Sequence, residues 1–131
     1  LKLFSSFSII SSVLKDISTG INYFNNADFY LAHDFFEGLW ADCNREDRKF
    51  FQGLIQVSVG CYHLTCNNYS GALNQLNKGI LKLNDYLPSY YNLDLADLKN
   101  KINCLIKELE SYFSNPSNEI DVGKIPTIKF N

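Results

Sequence analysis

Apolar residues return along most of this chain at steps of three and four, the spacing that lays one face of an α-helix against a core. Ile10, Leu14, Ile17, Ile21 and Phe24 predict a first helix over about residues 6–25, with a serine-rich outer face. Asn25 and Asn26 then supply a break and a cap for a second helix, over 27–42, apolar at Phe29, Leu31, Ala32, Phe35, Phe36, Leu39 and Trp40. Asn44 followed by Glu46 and Asp47 reads as an N-cap with acidic first-turn residues, so a third helix is expected from near Arg45 to about residue 66. From Phe50 to Leu64 that helix is apolar on nearly every side, which makes it central, and Gly53 and Gly60 lie close in angle, as they would where another backbone approaches. A fourth helix over 69–86 ends before Pro88, and a fifth over 93–113 is entered through Asn92 or Asp94. Beyond Ser114 the periodicity stops, leaving a loop and an extended tail around Ile125–Ile128 that is expected to lie along the bundle. Asn25-Asn26 before Ala32 and Asn67-Asn68 before Ala72 form one echo about forty residues apart, too little to predict a repeat protein. The fold expectation is therefore all-α: a single compact domain over 1–131, with about five helices in a core spanning 6–113 and a short extended C-terminal tail over 114–131.

Two polar stripes interrupt the greasy pattern. At about 100° per residue, His33, Glu37 and Trp40 share one side of the second helix, and Arg48, Gln52, Gln56 and His63 share one side of the third. If the stripes face each other inside the bundle, they must form a satisfied network or a ligand site, because a buried unpaired polar group costs about 1–3 kcal/mol. A satisfied network would have Glu37 accepting from Arg48 or His63, His33 bonding a Gln amide and Trp40 covering the cluster. A pocket would use the same groups with aromatic walls from Phe29, Tyr30, Phe36, Trp40 and Phe51. A metal site would take His33, Glu37 and His63 as ligands, with Asp34 available as a base although it lies about 100° from His33 on the wheel.

Composition narrows the remaining classes. Twelve Lys and Arg against 14 Asp and Glu leave no basic field for nucleic acid, and 46% hydrophobic residues in 131 suit one core. The serine-rich start is neither a membrane span nor a signal peptide in pattern, so a soluble protein without a membrane partner is expected. Cys43, Cys61, Cys66 and Cys104 lack zinc-knuckle spacing and are expected to be free and mostly buried. No G-x-S-x-G, G-x-x-x-x-G-K-[ST] or G-x-G-x-x-G occurs, which removes standard serine-hydrolase and nucleotide sites. Ten Lys against two Arg, with fifteen Asn and five Ala, is the signature of AT-rich coding and hints at an organelle genome.

The phrases His33-Asp34-x2-Glu37-x2-Trp40 and Arg48-x-Phe50-x-Gln52-Gly53-Leu54-Ile55-Gln56, followed by His63-Leu64, Asn67, Gly71-Ala72 and Gly79, resemble the family called domain of unknown function 309. The likeness covers about half the chain, and the Gly20–Ala32 stretch, the Leu-Pro-x-Tyr at Tyr90 and the tail Ile-Pro-x-Ile are most similar to cyanobacterial and plastid forms. The resemblance implies a bundle of about five helices; it brings no established activity, although some members carry the label of predicted metal-dependent hydrolases. The sequence reading is a non-catalytic binding or interaction module without a cofactor, acting on a small molecule or a protein from the plastid stroma or otherwise the cytoplasm. The alternative is a metal-dependent hydrolase holding a divalent ion at His33, Glu37 and His63.

Overall fold

The structure, a computed structural model, describes residues 17–116 and 119–131. Among the described residues five α-helices carry the fold: α1 over residues 17–25, α2 over Phe29–Asp42, α3 over Arg48–Thr65, α4 over Tyr69–Leu83 and α5 over Leu95–Ser114. The predicted α1 residues 6–16 lie outside the described residues. Ile17, Ile21 and Phe24 bury the inner side of α1, and Leu98, Ile102, Leu105, Ile106 and Leu109 do so on α5, at helical spacing in both cases. As expected, α3 is central: its main neighbours are α4 and α2, and Phe50, Phe51, Leu54, Val57, Cys61 and Leu64 are fully buried on it.

The forty-residue echo is a duplicated corner. At the end of α1, Ala27 is left-handed (φ 63°), its N–H reaches Phe24 O and the next N–H, of Asp28, reaches Tyr23 O at 2.8 Å. At the end of α3, Asn67 (φ 59°) and Asn68 make the same bonds to Leu64 O and His63 O. Both helices thus stop in a Schellman motif, which turns the chain straight into the next helix. The packing is duplicated too: a Cβ on Gly20 would meet the ring of Phe36 at 2.5 Å, and one on Gly60 would meet Leu76 at 2.7 Å. The helical hairpins α1–α2 and α3–α4 are therefore two copies of one design, stacked by the contact of α2 with α3. Gly53 sits at the tightest crossing, where its own Cβ would come within 3.3 Å of Gly79 O, as the glycine spacing predicted.

Two helix limits differ from expectation. Asn44 does cap, but its Oδ1 accepts from Asp47 N (3.0 Å) across a turn at residues 45–47, and α3 begins only at Arg48. Asp47, expected as an acidic first-turn residue of the third helix, lies ahead of it and is buried. The end of the fourth helical stretch tightens into a 3-10 turn at Asn84–Tyr86. Strands β1 (Ser89–Tyr90) and β2 (Leu93–Asp94) then form a two-residue hairpin whose turn places both Tyr91 (φ 47°) and Asn92 (φ 61°) in the left-handed region. Asp94 caps α5 by accepting from Asp97 N at 3.0 Å.

The tail lies along the bundle, as expected. Pro126 and Ile128 are buried, Leu93 and Phe130 form an antiparallel bridge, and Asp94 N and Asn131 N bond to Lys129 O and Asn92 O at 2.8 Å each. The Asn25 side chain closes on the main chain of Ile128 from both sides, with Ile128 N donating to Oδ1 at 2.7 Å and Nδ2 donating to Ile128 O at 2.9 Å.

Candidate functional site

The seven predicted polar residues do fall together, along the line where α2 runs against α3, but on the surface and not in the interior. Of the seven, Glu37 and Arg48 are exposed and the other five are half-buried. The reason is rotation: α2 gives the core Phe29, Ala32 and Phe36, and this arc leaves His33, Glu37 and Trp40 at its rim. Likewise α3 buries its Phe50–Leu64 side and turns Arg48, Gln52, Gln56 and His63 outward. An apolar helix can still carry its polar stripe in water, and the sequence pattern alone did not exclude this.

The stripe divides into two open clefts. One, about 440 Å³, is lined by Glu37, Trp40, Ala41, Gln52, Ile55 and Gln56. The other, about 190 Å³, is lined by Phe29, Tyr30, His33, Val59, Tyr62 and His63. His33 belongs to one and Glu37 to the other, and their Nε2 and Oε1 atoms stand 3.4 Å apart. Of the expected aromatic walls, Tyr30 and Trp40 line the clefts, Phe29 reaches one from below, and Phe36 and Phe51 are plain core.

The expected pairings are replaced by others. Arg48 does not reach Glu37; its guanidinium lies 4.4 Å over the Trp40 ring and so ties the end of α2 to the start of α3. Lys82 of α4 donates to Gln56 Oε1 at 2.9 Å, which leaves the Gln56 amide N–H groups free to donate elsewhere. Gln52 has no hydrogen-bond partner among the described residues. His33 bonds the Tyr30 carbonyl through Nδ1 (2.8 Å) and not a Gln amide, so that nitrogen carries the proton. Its Nε2 and the Glu37 carboxylate are then both acceptors until a proton or a cation lies between them.

His63 is oriented by a cap. Asn68 Oδ1 accepts from Gly71 N (3.0 Å) at the start of α4, which leaves Asn68 Nδ2 to donate to His63 Nδ1 at 3.2 Å. In the neutral ring the proton is therefore on Nε2, and neither nitrogen of that tautomer is a ready metal ligand. The expected trio of His33, Glu37 and His63 does not converge. What does converge is His33, Asp34 and Glu37, each offering one ligand atom within 4.8 Å of the others, although the wheel had aimed Asp34 elsewhere.

Sequence reasoning missed the most interlocked polar cluster. Asp47, about 4% exposed, accepts hydrogen bonds from the phenols of both Tyr90 and Tyr91, while Tyr86 donates to Glu46 O at 2.7 Å. Phe50 packs edge-on against Tyr86 and Tyr90, with ring centroids 5.4 and 4.9 Å away, and Tyr91 stacks on Phe51. Burial first, and the bond to Asp47 second, push both phenols well above the usual tyrosine range. The only available signal was an acid beside Arg48 and a paired tyrosine forty residues later, and no periodicity links them. All four cysteines are free as expected, but only Cys61 is buried; Cys66 and Cys104 are exposed and Cys43 is half-buried.

No helix among the described residues is long and apolar enough to cross a membrane. Residues 17–75, which contain α1 to the start of α4 and all seven stripe residues, match the family model described as domain of unknown function (DUF309). Over 108 residues, 82% of this chain, the sequence is 22% identical to an uncharacterized protein of Aquifex aeolicus (strain VF5). The matched stretch spans 29% of that relative's length.

Proposed function

We propose, for a chain whose residues 17–75 match the domain of unknown function 309 family, a non-catalytic role in which the α2–α3 groove recognises a polar small molecule or a segment of another protein. One observation carries this reading: six of the seven stripe residues, all but Arg48, line open clefts, and their side chains are not satisfied by hydrogen bonds to one another. Gln52, the free N–H groups of Gln56 and the exposed Glu37 carboxylate offer donors and acceptors side by side, between the Trp40 ring and Ile55. Such a surface binds by hydrogen-bond pattern, with the aromatic flank supplying apolar area. The test is a two-dimensional NMR screen of a mixed library of polar fragments and short peptides. Shifts concentrated on the Gln52 and Gln56 side-chain amides and the Trp40 indole are expected; shifts confined to other faces, or none at all, would overturn the proposal.

The second reading, a metal-dependent hydrolase, is favoured by the approach of His33, Asp34 and Glu37 and by the Tyr30 carbonyl behind His33, a support that metal-bound imidazoles commonly have. Against it, Arg48 and Lys82 bring two cations to the same groove. Protein dialysed after purification without chelator is therefore expected to carry well under one equivalent of zinc, manganese or iron and to keep its Tm in EDTA. Stoichiometric metal that is lost on His33→Ala would reverse the choice. For the compartment, the plastid stroma is proposed ahead of the cytoplasm, supported by the lysine and asparagine bias and the Ile-Pro-x-Ile tail. Fractionation that finds the protein outside plastids would overturn it.

A further inference from the structure

Residues 126–131 are held largely through their main chain, with the Asn131 amide donating to Ser89 Oγ and Lys129 lying near Asp97 as added side-chain ties. Asn25 accepts from Ile128 N and donates to Ile128 O, so one side-chain amide does what a neighbouring strand does for an extended residue. Lys129 O accepts from Asp94 N, Asn131 N donates to Asn92 O, and Phe130 bridges Leu93, so the hairpin edge completes the pairing on the other side. Pro126 and Ile128 are the buried side chains of this stretch and Ile125 is half-buried against the core, while Thr127, Lys129, Phe130 and Asn131 are exposed. Main-chain bonds do not discriminate between sequences; the two buried side chains do. Proline suits its position because it has no N–H to satisfy and restricts the segment to an extended form before it docks. Ile128, 2% exposed, fills a deep position between the end of α1 and the hairpin.

We infer that the seat between Asn25 and the Leu93 edge is a peptide-binding groove. It accepts in trans an extended segment of another protein in which a proline is followed two positions later by isoleucine or valine, and the chain's own tail is the occupant seen. This site lies apart from the α2–α3 groove and does not depend on what that groove binds.

The test uses the full chain and two nine-residue peptides: residues 123–131 of this sequence, and a version keeping only Pro126 and Ile128 in a serine–alanine background. In a chain carrying Ile128→Asp, which vacates the seat, both peptides are expected to return the Asn25 side-chain amide signal to its parent position. Their affinities should agree within about tenfold, and a peptide carrying Ile128→Asp should do nothing. In the parent chain, whose fold is not in question, the tail competes in cis, so binding should weaken by about tenfold or more. There a nitroxide-labelled peptide should still broaden Asn25 and Leu93 at millimolar concentration. Asn25→Ala should abolish that broadening. The inference is overturned if neither peptide reaches Asn25 in either chain, if the Ile128→Asp peptide binds equally, or if only a concentration-dependent dimer of the chain itself forms.

Discussion

Asp47 is the side chain on which most hangs. It is buried, it accepts from two phenols, and the hairpin turn that supplies them holds Tyr91 in a left-handed conformation that a bulky residue seldom adopts. Asp47→Ala should cost about 1–3 kcal/mol in urea melts, because two half-buried hydroxyls lose their acceptor; Tyr91→Phe should cost less, since Tyr90 still satisfies the acid. The same cluster sets an alkaline limit. The folded state holds the Tyr90 and Tyr91 protons more tightly than the unfolded chain does, so their contribution is fully present below the unfolded value of about 10 and is lost as pH rises past it. Tyrosinate absorbance should show both phenols ionising together with unfolding, and free ionisation of all eight tyrosines in the folded protein would contradict this. The stripe residues behave oppositely. Glu37→Ala and Gln52→Ala remove groups that water already reaches, so each should shift stability by less than about 0.5 kcal/mol. A loss of 1–3 kcal/mol in both, roughly what stranded interior partners would give, would restore the structural reading.

Among the elements, glycines separate crossings from open faces. Gly79→Ala places a Cβ 3.0 Å from Gly53 O and from Val57 N, backbone atoms that cannot rotate away, and should cost about 1–3 kcal/mol by overpacking the α3–α4 crossing. Gly38 of α2 has nothing within 4 Å of an added Cβ, so Gly38→Ala should gain about 0.5–1 kcal/mol from helix propensity alone. Thermal melts of the pair should therefore move in opposite directions. This is also the scale at which the sequence was most legible. Apolar spacing located α2 to α5 within a few residues, and the angle between Gly53 and Gly60 foretold the close approach. What it missed was set by tertiary context. Asp47 left the first turn of α3 because two tyrosines beyond α4 required an acceptor, and His33 met Tyr30 O because the α2 rim faces outward. The stripe itself was legible as a list of residues, but its burial was not, since helical periodicity fixes relative angles on one helix and not the rotation of that helix against its neighbour.

At the scale of the whole molecule, two stacked hairpins, a capping helix and a strap share one core, and long-range polar bonds tie its distant parts together. Asn25 joins residues 103 positions apart in the chain. Asn25→Ala should therefore loosen the C-terminal segment while leaving the bundle intact, seen as narrow, random-coil NMR signals for residues 125–131 with unchanged shifts on α3 and α4. Asp47 spans 43 and 44 positions to Tyr90 and Tyr91, and the stretch it closes contains all of α3 and α4. Closing that stretch at its base makes it a ring, and a ring has no free end from which to fray. Native-state hydrogen exchange should accordingly find α3, α4 and the hairpin opening as a single cooperative unit, with α2 and the tail exchanging through smaller, cheaper openings.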